Sequence, residues 1–267
     1  HKVEHDRAAR RQTSPRQSRL ECDEIRGKGI NGISFTLGIG EILGVAGLEG
    51  QGQRGLFRSL AGLERLESGS IVLDGSPVTL RSPRQAAKTG SGISYLPEER
   101  KTEGILAGLS TATNIVLPVI HRISRGTMVS PKAEQKYARD VAARVDLNPR
   151  YLGFAIGDLS GGNQQKALIA RTMATGARTL LLFDPTRGVD VGTKQSIYNA
   201  IKAFADEGGS VLFYSSELPE IVQLADRAIV LYGGRINGEF VDHEINEQRL
   251  VAAMLGRRNS GKNEAVA

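Results

Sequence analysis

The sequence predicts an α/β fold, a sheet with helices on both faces, and two observations carry that expectation. The first is a set of short continuous apolar runs, "RTLLLFD" (178–184), "SVLFYSS" (210–216) and "RAIVLYGG" (227–234). Runs of this kind are buried on both sides in parallel sheets. The second is their order, because helical segments at 164–175, 193–206 and 217–225 separate them. Strands that alternate with helices make crossover units rather than hairpins. At 267 residues, 40% hydrophobic and 24% charged, the chain is long enough to bury a core around such a sheet.

Earlier elements follow from the same reading. "EILGVAG" (41–47) is a short apolar strand ending in glycine, and "LFRSLAGL" (56–63) has helical spacing. Between them "GLEGQGQRGL" (47–56) gives the strand–glycine loop–helix order that a phosphate-binding loop requires. "GSIVLDGSPV" (69–78) reads as a hairpin turning at Asp74-Gly75, and "SGISYLP" (91–97) as a strand stopped by Pro97. Residues 111–122 read as helix as far as Pro118. Ser130-Pro131 is a helix start, with a capping hydroxyl and a first-turn proline. The amphipathic run "AEQKYARDVAARVDL" (133–147) follows it. This helical stretch, 105–150, interrupts the sheet strands and predicts a subdomain on one side of the core.

The net charge of +6 is carried by the ends. Residues 1–20 hold six Lys/Arg against two Asp/Glu, and 257–267 hold three against one, so the body from 21 to 256 is neutral. The first stretch is expected to be a basic linker or tail and the last a polar tail. A neutral body without interleaved basic and aromatic residues argues against nucleic acid as a partner. No apolar run approaches the roughly 20 residues of a membrane span, and no secretory signal is visible. A single cysteine, Cys22, suits a reducing compartment. The chain opens on His1 and is expected to be a piece of something longer or to carry a residual tag. His5, His121 and His243 have no ligand-like neighbours, so no metal site is assigned to them.

Four stretches carry a resemblance: "LSGGNQQKALIARTMA" (159–174), "DPTRGVDVGTK" (184–194), "YLPEERKTEGI" (95–105) and "SSELPEI" (215–221). Residues 21–256 resemble one ATP-binding-cassette (ABC) domain. The finer match is to the C-terminal cassette of tandem-cassette bacterial monosaccharide importers of the ribose, galactose and xylose type. The resemblance implies a RecA-like α/β core, an antiparallel β subdomain and an inserted α-helical signature subdomain at about 105–175. It also implies ATP and Mg2+ as cofactors. The implied partners are a second cassette, a membrane permease and, indirectly, a sugar-binding protein. The expected location is peripheral, on the cytoplasmic face of a bacterial membrane.

The same resemblance assigns roles residue by residue. Ser160, Gly161, Gly162 and Asn163 form a signature that serves the partner's ATP site, where Ser160 can cap a helix and the glycines expose backbone N–H groups. Gly47, Gly50 and Gly52 keep the loop's backbone nest. Gln53 stands where the lysine belongs, and Arg54 where the magnesium-binding hydroxyl belongs. The gap-free spacing from Leu159 to Pro185 puts Phe183 at the magnesium aspartate and Asp184 at the catalytic glutamate. Phe183 also reads simply as core. Glu98 replaces the glutamine that links metal to the membrane-facing surface, and Ser216 replaces the histidine that contacts the γ-phosphate. Asp190 belongs to the loop crossing the cassette interface, or caps the next helix. Residues 105–120 lie where a permease's coupling helix docks, and they also read as subdomain core. No aromatic residue lies between Leu20 and Ser34 to stack on adenine. The expectation is an ATPase-family chain that is weak or inactive alone, its own site degenerate. The alternatives are an autonomous homodimeric ABC ATPase and a regulatory module outside transport.

Overall fold

The computed structural model describes residues 17–125 and 128–257. Residues 1–16 and 258–267, which hold most of the charge excess, lie outside them. The described chain opens with an antiparallel pair, β1 (Ser18–Gly27) and β2 (Ile30–Gly38). Composition groups residues 18–20 with the basic tail, but they already belong to β1, and Leu20 is buried. β3 (Ile42–Ala46) then enters the core sheet, and α1 (Gln53–Leu60) follows the glycine loop. The start of α1 lies three residues ahead of the stretch that periodicity marks. Gln53 and Arg54 at its head are polar and contribute nothing to the apolar spacing.

β4 (Ser68–Leu73) and β5 (Ser76–Val78) make the hairpin expected around Asp74-Gly75, and both turn residues have positive φ. A type I′ turn demands that of both central residues. A short helix α2 (Pro83–Ala86) leads to β6 (Ile93–Leu96). In the inserted region, α3 (Thr111–Val116) ends two residues before Pro118, but the helical path does not stop there. The chain tightens into a 3₁₀ turn, Leu117–Val119, and resumes as α4 (Ile120–Ile123). The proline lies in the first turn of the 3₁₀ segment, where its missing N–H costs no hydrogen bond. A minimal pair, β7 (Ser124–Arg125) and β8 (Met128–Val129), precedes α5 (Pro131–Ala143), whose cap is Ser130.

The remainder alternates as predicted: α6 (Gly161–Ala174), β9 (Thr179–Phe183), α7 (Val191–Asp206), β10 (Ser210–Tyr214), α8 (Leu218–Leu224) and β11 (Arg227–Tyr232). β12 (Arg235–Val241) and α9 (Glu247–Met254) close the described chain. The core sheet runs β12-β11-β3-β10-β9-β6, parallel except for β12. A second sheet, β2-β1-β4-β5, is antiparallel.

Strand residues divide strictly between two cores. Ile42, Leu180, Leu182, Val211 and Phe213 face the inserted helices, together with α6 and α7. Leu43, Val45, Leu181, Phe183, Leu212 and Tyr214 face α1 and the antiparallel sheet. Both faces being covered is why the strands are apolar without alternation. Among the described residues no helix is long and apolar enough to cross a membrane.

Candidate nucleotide site

Four parallel strands end on one edge of the sheet, and that edge gathers the candidate residues. β3 runs into the glycine loop, β10 into Ser215-Ser216, β9 into Asp184 and β6 into Pro97-Glu98. Ligands of open α/β sheets bind at this carboxyl edge, outside the strand ends.

The loop is shaped by its glycines. Gly50 (φ 81°) and Gly52 (φ 107°) adopt left-handed backbone that a side chain disfavours. Gly47 is needed for room instead, since a Cβ there would stand 3.1 Å from the Leu231 carbonyl. The β1–β2 turn leans directly on the head of α1. A Cβ on Gly52 would lie 2.5 Å from the Gly29 carbonyl oxygen, and one on Gly55 would collide with that of Lys28. From the other side Gln51 holds the turn after β11, its Oε1 accepting from Gly233 N at 2.6 Å.

Gln53 is 3% exposed. Its Nε2 donates to Leu48 O inside the loop at 2.9 Å and to Tyr214 Oη at 3.4 Å. Its Oε1 is buried with no partner among the described residues. Arg54 turns away from Gln53 and meets Glu98, Nη2 to Oε2 at 2.7 Å. The other oxygen of Glu98 faces Arg187, with Nη1 at 3.6 Å. One carboxylate thus lies between two guanidinium groups from different elements.

Beneath the loop Phe183 packs edge-on against Phe57 of α1, centroids 5.4 Å apart, and against Tyr214 at 4.6 Å. Beside it Asp184 leaves β9 with positive φ, 46°, which Asp tolerates better than most residues. Its N–H donates to Tyr214 O, and its Oδ1 accepts from Ser216 N at 2.7 Å and Ser216 Oγ at 3.1 Å. Burial raises the Asp184 pKa above the usual carboxylate range, against the lowering effect of these bonds and of Arg187. Arg187 N closes the turn on Asp184 O at 3.1 Å.

At the head of α6, beside Gly188 of the turn after β9, Ser160 is the cap, its Oγ accepting from Asn163 N at 3.4 Å and from Asn163 Nδ2 at 3.1 Å. A Cβ at Gly162 would stand 2.7 Å from Thr193 Oγ1, whereas one at Gly161 would meet only the guanidinium end of Arg100, at 3.1 Å. Asp190 caps α7, with Oδ1 accepting from Thr193 N and Oδ2 from Thr193 Oγ1.

The ABC transporter family matches residues 30–187 of the chain. The chain belongs to that family. The cassette is 40% identical over 237 residues to the ribose import ATP-binding protein RbsA 1 of Rhizobium johnstonii, covering 88% of the cassette and 46% of that protein. The protein of the same name from Mesorhizobium japonicum is 40% identical over 226 residues, 85% of the cassette and 44% of the relative. The cassette therefore spans about half the length of these curated relatives. Among solved structures, a nucleotide-free ATP-binding cassette superposes with a TM-score of 0.75 at 18% identity, covering 88% of this chain and 96% of that one. The dimeric cassette MJ0796 bound to ADP and Pi gives 0.72 at 21%, covering 83% and 98%. These establish the ABC-ATPase fold.

The positions to which the resemblance assigns magnesium ligands carry side chains that do not suit the ion. Mg2+ prefers hard oxygen ligands in near-octahedral array. The loop offers a guanidinium at Arg54, and β9 offers a phenyl ring at Phe183. Glu98 is already neutralised by two arginines, and Asp184 is held by Ser216. The fit fails on donor chemistry.

Several contributors are invisible from spacing alone. Arg187 lies within "DPTRGVDVGTK", but only the 184–187 turn brings it to Glu98. Gln165 Nε2 donates to Pro185 O at 2.7 Å, tying the signature helix to that turn. Buried Glu220 accepts from Thr186 Oγ1, from Ser215 Oγ at 2.8 Å and from Lys194 Nζ at 3.0 Å. It locks the segments after β9 and β10 together. The "SSELPEI" stretch contains Glu220, but nothing in its sequence signals that this carboxylate is buried.

Proposed function

We propose that this chain is the second cassette of a tandem-cassette ABC importer for a sugar of the ribose type. In that role Ser160, Gly161, Gly162 and Asn163 serve the ATP site of the partner cassette, and this chain's own site contributes little hydrolysis. One contrast carries the reading. The start of α6 has an intact cap with Ser160 exposed, as a helix terminus that receives an anion from outside should be. At this chain's own loop, the family's lysine, hydroxyl and aspartate positions hold an amide turned inward, an ion-paired arginine and a buried ring. The names of the relatives and the half-length match support the sugar and the tandem arrangement.

Closure of the two cassettes would be passed to a membrane permease through the 98–120 surface, where Leu106 and Leu109 are exposed. A sugar-binding protein would act on the far side of that permease. The chain would sit peripherally at the cytoplasmic face. In the complete importer, Ser160→Arg abolishes sugar uptake while Gln53→Ala leaves it nearly unchanged. Equal losses would overturn the assignment of roles.

A further inference from the structure

The arrangement around Glu98 fits a task that the lost magnesium ligands leave open. A nucleotide's phosphate chain needs positive charge, normally supplied by a loop lysine and Mg2+. Here neither is provided for, yet two arginines converge beside the glycine loop. Arg54 comes from the first turn of α1 and Arg187 from the turn after β9, and both are more than half exposed at the side chain. Glu98, on the segment after β6, is 16% exposed and holds one guanidinium on each oxygen. Guanidinium forks bind phosphate oxygens as readily as carboxylates and commonly in pairs. A carboxylate brings a single charge to this pair, and a phosphate chain brings several.

We propose that the chain grips the oligophosphate of a nucleotide without magnesium, through Arg54 and Arg187, and that Glu98 occupies both arginines until the phosphate displaces it. The inference rests on the reading that this edge of the sheet meets a nucleotide. It departs from that reading in making the site a metal-independent binder with an internal competitor. The backbone nest of Gly50 and Gly52 and the head of α1 supply N–H groups alongside the arginines. Gln53 can follow, because rotating its amide toward a phosphate oxygen gives up only the Leu48 and Tyr214 contacts while its Oε1 already lacks a partner. The β1–β2 turn carries Lys28 and Gly29 but no ring to stack on a base. Recognition therefore lies in the phosphates, and the base contributes little.

The test is calorimetric titration of the 267-residue chain with ATP and, separately, with inorganic tripolyphosphate, each in EDTA and in excess Mg2+. Both ligands bind in EDTA, and Mg2+ weakens them by shielding the phosphate charge. Glu98→Gln frees the arginines and tightens both ligands by about tenfold. Arg187→Ala, an exposed change that leaves the fold alone, weakens both. Binding that requires Mg2+ overturns the proposal, as does Glu98→Gln without effect. ATP bound while tripolyphosphate is ignored also overturns it, since recognition would then lie in the nucleoside. Silence from every variant overturns the grip and leaves the signature role of Ser160 standing, because uptake by the complete importer reads that role independently.

Discussion

Replacing Phe183 by Ala tests whether the ring at the family's aspartate position has become a structural element. The side chain is 3% exposed and touches two rings, Phe57 at 5.4 Å and Tyr214 at 4.6 Å. Truncating a buried Phe costs about 3–5 kcal/mol, according to how far the surroundings collapse. Collapse is hindered here, because Phe57 belongs to α1 and the head of α1 is pinned against the β1–β2 turn. The upper half of that range is expected, with a fall in melting temperature of roughly 8–20 °C for a chain of this size. Urea unfolding followed by circular dichroism measures the loss. A double-mutant cycle with Phe57→Leu isolates the ring–ring coupling, expected at about 0.5–1.5 kcal/mol. A loss under about 1 kcal/mol, or no coupling, would refute the claim that this cluster supports the loop helix. Phe183→Asp, which restores the family's residue, lowers stability further by placing a charge among rings. A stable Phe183→Asp that hydrolysed ATP would refute the same reasoning from the other side.

Asp184→Asn should stabilise the chain at neutral pH and not in acid. A raised carboxyl pKa means that the stability held below the unfolded value, near 3.9, is lost as pH rises through the folded one. The amide oxygen of Asn can still accept from Ser216, so the melting-temperature gap opens as pH rises above the unfolded value, and a flat gap would refute the burial argument. Asp146 has the opposite sign, its pKa lowered by the hydrogen bond and charge of Lys166 and by Ser196. Asp146→Asn therefore lowers stability at neutral pH, with a deficit that shrinks as pH falls through the folded pKa, and thermal melts across that range would detect it. Gly55→Ala drives a methyl into the Lys28 carbonyl. Its cost lies toward the upper end of about 1–3 kcal/mol in urea unfolding, and a neutral result would mean that the turn can yield.

The core strands were legible because continuous apolar runs leave few alternatives once helices lie between them. Helix heads were legible where a hydroxyl precedes them, as at Ser130 and Ser160, and less so at α1, which has Gly52 in the capping position and no side-chain cap. β1 was obscured by composition, because Ser18 and Arg19 resemble the basic stretch before them while only Leu20 signals burial. The substituted site positions could be read from spacing. Their consequences could not, because Arg54 and Arg187 lie 133 positions apart in the numbering and meet only through Glu98. Long-range charge pairing of that sort leaves no local pattern.

The contact of the β1–β2 turn with Gly52 and Gly55 has a mechanical consequence. Two bodies that meet carbonyl-to-Cα, without side chains between them, have no lubricating layer and no room to slide. Gly234, whose carbonyl accepts from Asn31 N at 2.7 Å, pins the turn from the flank. The antiparallel sheet is therefore a handle fixed to the loop. A displacement of the β1–β2 turn has to be met by the backbone at the head of α1, one residue from Arg54.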